Sequence, residues 1–170
     1  MKLSTIHIIL TIVLILPHSL LAGKKEKADL FNKTGLKFLK SRQYQLAAQC
    51  FKSAIKKNSS VKYYYNNFAV ASIKLKNYKT AYFSLHIALK LDPAYVKALS
   101  NMAIVCFYLN EYREAYYYYR KAMTADKLYI SKRFTRKKAI GRLEKLQKQN
   151  PKNKTYKKML NYLKQNNIPK

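Results

Sequence analysis

Side chains able to perform acid–base or nucleophilic chemistry are few in this chain and do not cluster along it. The 170 residues include seven acidic residues and three histidines. His7 and His18 lie in an apolar N-terminal run, which leaves His86 within a predicted helix between apolar neighbours. General acid–base catalysis needs protonable groups placed together, and no paired carboxylates occur. The three glycines are widely separated, so no glycine-rich phosphate loop exists. The sequence predicts a protein that is not an enzyme.

The two cysteines, Cys50 and Cys106, offer no metal or disulfide chemistry. A disulfide requires Cα atoms within about 7 Å, and these residues fall on helices with at least one predicted helical hairpin between them. Neither has a cysteine or histidine at metal-ligand spacing. We expect both to behave as small buried apolar residues, and we expect no metal and no cofactor.

The helices that would position these side chains are predicted from a sequence pattern that repeats every 34 residues. Small residues or tyrosine occupy the same place in three successive stretches, and a large apolar or aromatic residue recurs between them. These columns are Gly35, Ala69, Ala103; Tyr44, Tyr78, Tyr112; Ala47, Ala81, Ala115; Ala54, Ala88, Ala122; and Phe51, Leu85, Tyr119. A fixed period of this length indicates a stack of similar units.

The residue types in the columns predict two packed helices in each unit. Small side chains let helix axes approach to about 8–10 Å, and the large residue lies one turn after its alanine. The recurring tyrosine follows a bend between two helical segments. Pro93, after Asp92, ends the second helix of the middle unit.

This pattern resembles the tetratricopeptide repeat, with units at 28–61, 62–95 and 96–129. Phe31, Tyr65 and Leu99 stand where the family has an early Trp, and Pro93 is the single closing proline. The resemblance, to exported bacterial members in particular, implies an all-α, right-handed solenoid of three helix-turn-helix repeats.

The resemblance also implies a concave groove, lined by the first helix of each repeat, that holds a peptide or a partner helix. The residues carried over to it are Asn32, Leu36, Lys40, Tyr63, Asn66, Asn67, Val70, Lys74, Lys97, Ser100, Asn101, Ile104 and Tyr108. The asparagines are expected to hold a peptide backbone, the lysines to attract carboxylates, and the apolar members to accept side chains. Packing between repeats is the alternative role of these residues.

One specific partner of the family is not expected. Members that bind chaperone tails use a clamp of Lys and Asn, then Asn, then Lys and Arg. Asn67 and Lys97 match this clamp, but Asn32 and Leu36 replace its first pair, and Asn101 replaces its last basic residue. The clamp is therefore incomplete.

Residues 1–23 have the pattern of a secretory signal peptide. Lys2 precedes a short apolar run, Pro17 interrupts it, and small residues end at Gly23. An uncleaved membrane anchor is the alternative, because the segment is just long enough to span about 30 Å of hydrocarbon. We expect export to the periplasm or cell envelope.

Residues 130–170 lose the 34-residue period but keep a helical pattern, which is typical of a helical cap on a solenoid. The chain carries a net charge of +28, and Glu144 is the single acid from Lys127 to Lys170. Such an excess attracts polyanions. Nucleic acid is the less favoured one, since lysine outnumbers arginine and no nucleic-acid-binding motif occurs.

Two functional hypotheses follow from the sequence. The first is an adaptor of the cell envelope that binds a segment of another protein in its groove. The alternative is a peripheral binder of a polyanion, either anionic lipid or nucleic acid, in which the basic helices of residues 131–170 contact the membrane surface or the nucleic acid.

Overall fold

The structure, a computed structural model, describes residues 23–134 and 136–165. All of the regular structure in these ranges is α-helical, as the sequence predicts. The helices are α1 (23–40), α2 (Tyr44–Lys57), α3 (Lys62–Lys74), α4 (Tyr78–Leu91), α5 (Val96–Tyr108), α6 (Tyr112–Ala125), α7 (Lys127–Arg133), α8 (Arg136–Gln149) and α9 (Lys154–Gln165). The predicted signal segment, except for Gly23, lies outside the described residues, as does the end of the chain after 165.

Helices α1 to α6 form three helix-turn-helix pairs whose turns share one geometry. Arg42, Lys76 and Asn110 occupy corresponding positions and have φ of 63°, 61° and 67°. The residue after each one donates its backbone N–H to a carbonyl five residues earlier, at 2.8–2.9 Å. This is the Schellman arrangement, which usually has glycine at the left-handed position. Asparagine tolerates this conformation, but Arg42 and Lys76 there cost about 1–2 kcal/mol each, so helix packing must offset local strain.

The periodic small residues form the core of these pairs. Ala47, Ala81, Ala54 and Ala88 have no exposed surface, and Ala115 is 8% exposed. The large residues Phe51 and Leu85 are also fully buried. Ala69 and Leu85 belong to the same buried cluster, which confirms that the small and large columns pack together. The first and last turns of the second pair are also joined, because Lys62 of α3 forms an ion pair with Asp92 after α4.

The described residues divide into two compact units, one that ends at Tyr119 and one that begins at Arg120. In the second unit α8 and α9 pack on each other, with Leu143 and Leu160 buried. Glu144 of α8 and Lys164 of α9 form an exposed ion pair at 2.9 Å. The capping role of these helices stays a prediction. Among the described residues no helix combines the length and the apolar character that a membrane span requires.

Candidate ligand-binding groove

The first helices of the three pairs are α1, α3 and α5, and a chain of asparagine amides joins them. Asn101 donates from Nδ2 to Oδ1 of Asn66 at 2.8 Å. Asn66 donates in turn to Asn67 at 3.5 Å, a long hydrogen bond. Asn67 donates to Oδ1 of Asn32 at 2.9 Å. We call the surface shared by these three helices the first-helix groove.

The amide chain serves the packing between repeats. Asn32, Asn66 and Asn101 are buried, with 3–7% of their surface exposed. A buried amide without a hydrogen bond costs about 1–3 kcal/mol, and each amide here is satisfied by another one. The sequence analysis expected Asn67 and Asn101 to hold a peptide backbone. In the structure Asn67 is half-buried and keeps accessible surface, whereas Asn101 is buried. A binding role for them stays a prediction.

An apolar row lies one helical turn beyond the amide chain. Leu36 follows Asn32 by four residues, and Val70 and Ile104 stand at the corresponding places in α3 and α5. Leu36 is 42% exposed, and the other two are half-buried. Each member of the row therefore keeps part of its apolar surface exposed to solvent.

The three lysines predicted for the groove all keep their side chains in solvent. Lys40 and Lys74 follow the apolar row by one further turn, and Lys97 lies in the first turn of α5. Because they are exposed and carried on adjacent first helices, they make this surface attractive to carboxylates.

Tyr63 has a partner that the sequence analysis did not identify. Its hydroxyl donates to Asp29 at 3.1 Å, and the hydroxyl of the fully buried Tyr64 donates to the same carboxylate oxygen at 2.6 Å. These hydrogen bonds, that of Tyr64 above all, lower the pKa of Asp29 below its ordinary value. The signal was present in the sequence, since Asp29, Tyr63 and Lys97 share one column of the 34-residue period.

Two other predicted groove residues are held by packing. Ser100 is fully buried and donates its hydroxyl to the carbonyl of Lys97 at 3.0 Å. Tyr108 is half-buried and stacks on Tyr78, with ring centroids 4.5 Å apart and planes at 9°. Ser100 therefore presents no surface to a ligand in this conformation, whereas Tyr108 keeps part of its surface accessible.

Of the two free thiols, that of Cys50 is half-buried, where the sequence analysis expected burial, and that of Cys106 is buried as expected. Cys106 has no exposed surface, and its Sγ lies 3.7 Å from Oε2 of Glu114. Burial, and then the nearby carboxylate, raise the pKa of Cys106 to about 12, so the thiol stays protonated and a weak nucleophile. Among the described residues no group of three or more His, Cys, Asp or Glu side chains is arranged to bind a metal.

Comparison with known proteins identifies the fold. No family model matches the sequence, and no curated protein sequence matches it. Solved structures do: the tetratricopeptide-repeat domain of Arabidopsis OM64 has a TM-score of 0.60 and 26% identity, covering 61% of this chain and 86% of that one.

Two further structures contain bound peptides. The TPR2B domain of yeast Sti1, in complex with an Hsp70 peptide, has a TM-score of 0.57 and 25% identity over 64% of this chain and 85% of that one. The first repeat domain of Spaghetti (RPAP3), bound to the HSP90 peptide SRMEEVD, has a TM-score of 0.61 and 20% identity over 83% of this chain and 93% of that one. The chain has the all-α solenoid fold of tetratricopeptide-repeat domains.

Proposed function

We propose that the protein is a non-enzymatic adaptor that binds an acidic segment of another protein in the first-helix groove. The observation that carries this proposal is the exposed side of the apolar row, 42% of Leu36, with solvent-exposed lysines one turn beyond it. Structural neighbours of this fold hold HSP90 and Hsp70 peptides, which supports a protein ligand.

The chemistry of the groove indicates which segment it accepts. Alternate side chains of an extended peptide point to the same face, about 7 Å apart, so apolar ones can pack against Leu36, Val70 and Ile104. Carboxylates near them would meet Lys40 or Lys74. The ligand is therefore an extended segment in which apolar and acidic residues are mixed.

The ligand need not supply a C-terminal carboxylate. The apolar Leu36 and the buried Asn101 occupy places where the chaperone-tail clamp has hydrogen-bonding or basic groups. Asn67 already donates to Asn32. We therefore propose recognition of an internal acidic segment, not of a chain end.

We further propose that the adaptor works in the cell envelope after export. The support is the pattern of residues 1–23, in which a basic start, an apolar run and a small-residue exit follow one another. N-terminal sequencing of the protein recovered from envelope fractions tests this: a mature chain that begins near residue 23 or 24 is expected, and a cytoplasmic protein that keeps Met1 would contradict it.

Fluorescence anisotropy with a labelled acidic peptide tests the groove. The probes are SRMEEVD, the same peptide with a C-terminal amide, and SRMQQVD. We expect the amide to bind as well as the free acid, and SRMQQVD to bind about tenfold more weakly, which corresponds to 1.4 kcal/mol.

Variants then locate the binding surface. Lys74→Glu and Lys97→Glu should each lower affinity for SRMEEVD about five- to tenfold, while Lys56→Glu, an exposed reversal on α2, should have little effect. An equal loss with Lys56→Glu would mean general charge attraction and would refute the groove proposal. Circular dichroism of each variant confirms that the fold is unchanged.

A further inference from the structure

Helix α4 carries an apolar stripe on its solvent side. Phe83, Ile87 and Leu91 are 68%, 41% and 42% exposed. They are spaced four residues apart, so they lie along one side of the helix, over roughly two turns. On the other side of the helix, Ala81 and Ala88 are buried in the core. The helix is thus apolar on both its buried and its solvent faces.

The stack itself does not require this stripe. The corresponding residues of α2, one period earlier, are Gln49, Ser53 and Lys57, of which Gln49 and Lys57 are exposed. In α2, the second helix of the first pair, polar residues therefore occupy the positions that are apolar in α4. The full three-residue stripe is therefore absent from α2, and in α4 it exposes surface that water disfavours.

The charged residues that α4 itself carries beside the stripe are basic. Lys79 and Lys90 are exposed on α4, and neither α2 nor α4 contains an acidic residue. The acid that follows the stripe, Asp92, is paired with Lys62 and accepts the N–H of Ala94 at 3.0 Å. The positive potential beside the stripe is therefore not neutralised on its own helix.

We propose that this face of α4 docks on an anionic lipid surface. The boundary of a membrane offers contacts for both kinds of side chain on this face. Its apolar layer can accept the Phe83 ring and the aliphatic neighbours of Phe83, and its phosphate groups can pair with Lys79 and Lys90. Lysine side chains extend their ammonium groups to the headgroups while apolar neighbours enter the acyl boundary. A second copy of the chain is disfavoured as the occupant, because each copy carries a net charge of +28.

This surface is formed by α4, whereas the groove is formed by α1, α3 and α5, and the basic segment 131–170 is a different stretch of the chain. A groove that failed to bind peptides would leave it untouched. Binding to lipid through α4 would let an adaptor keep its first helices open while it rests on a membrane.

The absence of tryptophan from the sequence makes a site-specific test direct. The full-length Phe83→Trp variant reports on α4, and the Leu30→Trp variant on α1 is its control, because Leu30 is 66% exposed. Each is titrated with vesicles of phosphatidylglycerol and phosphatidylcholine, and with phosphatidylcholine alone. We expect a blue shift for Phe83→Trp with the anionic vesicles, no such shift with the neutral ones, and none for Leu30→Trp.

Vesicle co-sedimentation measures the affinity. The Phe83→Ser/Ile87→Ser double variant should bind at least about tenfold more weakly, and Lys79→Gln or Lys90→Gln about fivefold more weakly each. Leu30→Ser should bind like the unmodified protein. Circular dichroism verifies that every variant is folded.

Three results would overturn the proposal. The first is co-sedimentation without a blue shift of Phe83→Trp, with binding lost in Lys157→Gln/Lys158→Gln, because the C-terminal helices would then be the lipid contact. The second is a blue shift that grows with protein concentration in the absence of vesicles, which would assign the face to a second copy. The third is equal shifts for both tryptophan variants.

Discussion

Gly35 offers a test of the packing because its replacement should have the opposite effect from that of an ordinary helical glycine. It lies in α1 and is buried. A Cβ at this position would lie 2.7 Å from Cε1 and 2.9 Å from Cδ1 of Phe51. The Phe51 ring has no exposed surface, so it has little room to move away.

The expected magnitude is a balance of two terms. Glycine to alanine in a helix interior stabilises by about 1 kcal/mol, whereas overpacking of a filled core costs about 1–3 kcal/mol. The net effect of Gly35→Ala should be a loss of about 1 kcal/mol in the free energy of unfolding, or about 2–4 °C in Tm. Gly141, an exposed helical glycine with no atom within 4 Å of a built Cβ, is the control. Gly141→Ala should stabilise by up to about 1 kcal/mol.

The second repeat shows how the clash should be relieved. It has Ala69 where the first has Gly35, and Leu85 where the first has Phe51. Phe51→Leu alone should cost roughly 1–2 kcal/mol, but in Gly35→Ala/Phe51→Leu the two losses should not add. We expect a favourable coupling of about 1–2 kcal/mol, measured by urea denaturation followed by circular dichroism. A stabilising Gly35→Ala, or strictly additive losses in the double variant, would refute this account of the packing.

Two further predictions concern acid and thiol chemistry. The pKa of Asp29 is lowered, first of all by the hydrogen bond from the Tyr64 hydroxyl. The Asp29 carboxylate therefore stabilises the fold at pH values above its ordinary pKa of 3.8. This stabilisation is lost as the pH falls from there through the lower pKa of the folded state. The urea midpoint should therefore drop between pH 7 and pH 3, and less so in Asp29→Asn; an equal drop would contradict the assignment. The pKa of Cys106 is raised to about 12, so at pH 8 its thiol should react with a disulfide reagent only after the protein unfolds. The reaction rate is measured in the Cys50→Ser variant, in which Cys106 is the remaining thiol. A rate in the folded protein equal to the rate in urea would show that the thiol is accessible.

The solenoid is predictable from sequence because its determinants are local and repeated. Ala47, Ala81 and Ala115 recur where two helices must approach, and each repetition of the period strengthens the inference. Burial of these residues in the structure confirms the reason for their size. The period alone also locates the three turns, although nothing in Arg42 or Lys76 by itself indicates a left-handed backbone.

The roles of the groove residues were less predictable because they depend on which side chains meet across the repeats. Asn101 looks like a ligand contact in the sequence, but only the packing of α5 on α3 decides that its amide bonds to Asn66. Asp29 drew no attention in the sequence. It became part of the site only when Tyr63 and Tyr64 were brought to its carboxylate.

What the sequence by itself determined is the repeat, its all-helical class and the basic excess, because periodicity and charge are sums over residues that need no knowledge of neighbours. What only the tertiary structure decided is which polar groups are used within the stack and which apolar groups are left outside it. Asn66 and Phe83 show the reason: burial and partnership are properties of pairs distant in sequence, and a pattern along one helix cannot tell a core-facing phenylalanine from one that is 68% exposed.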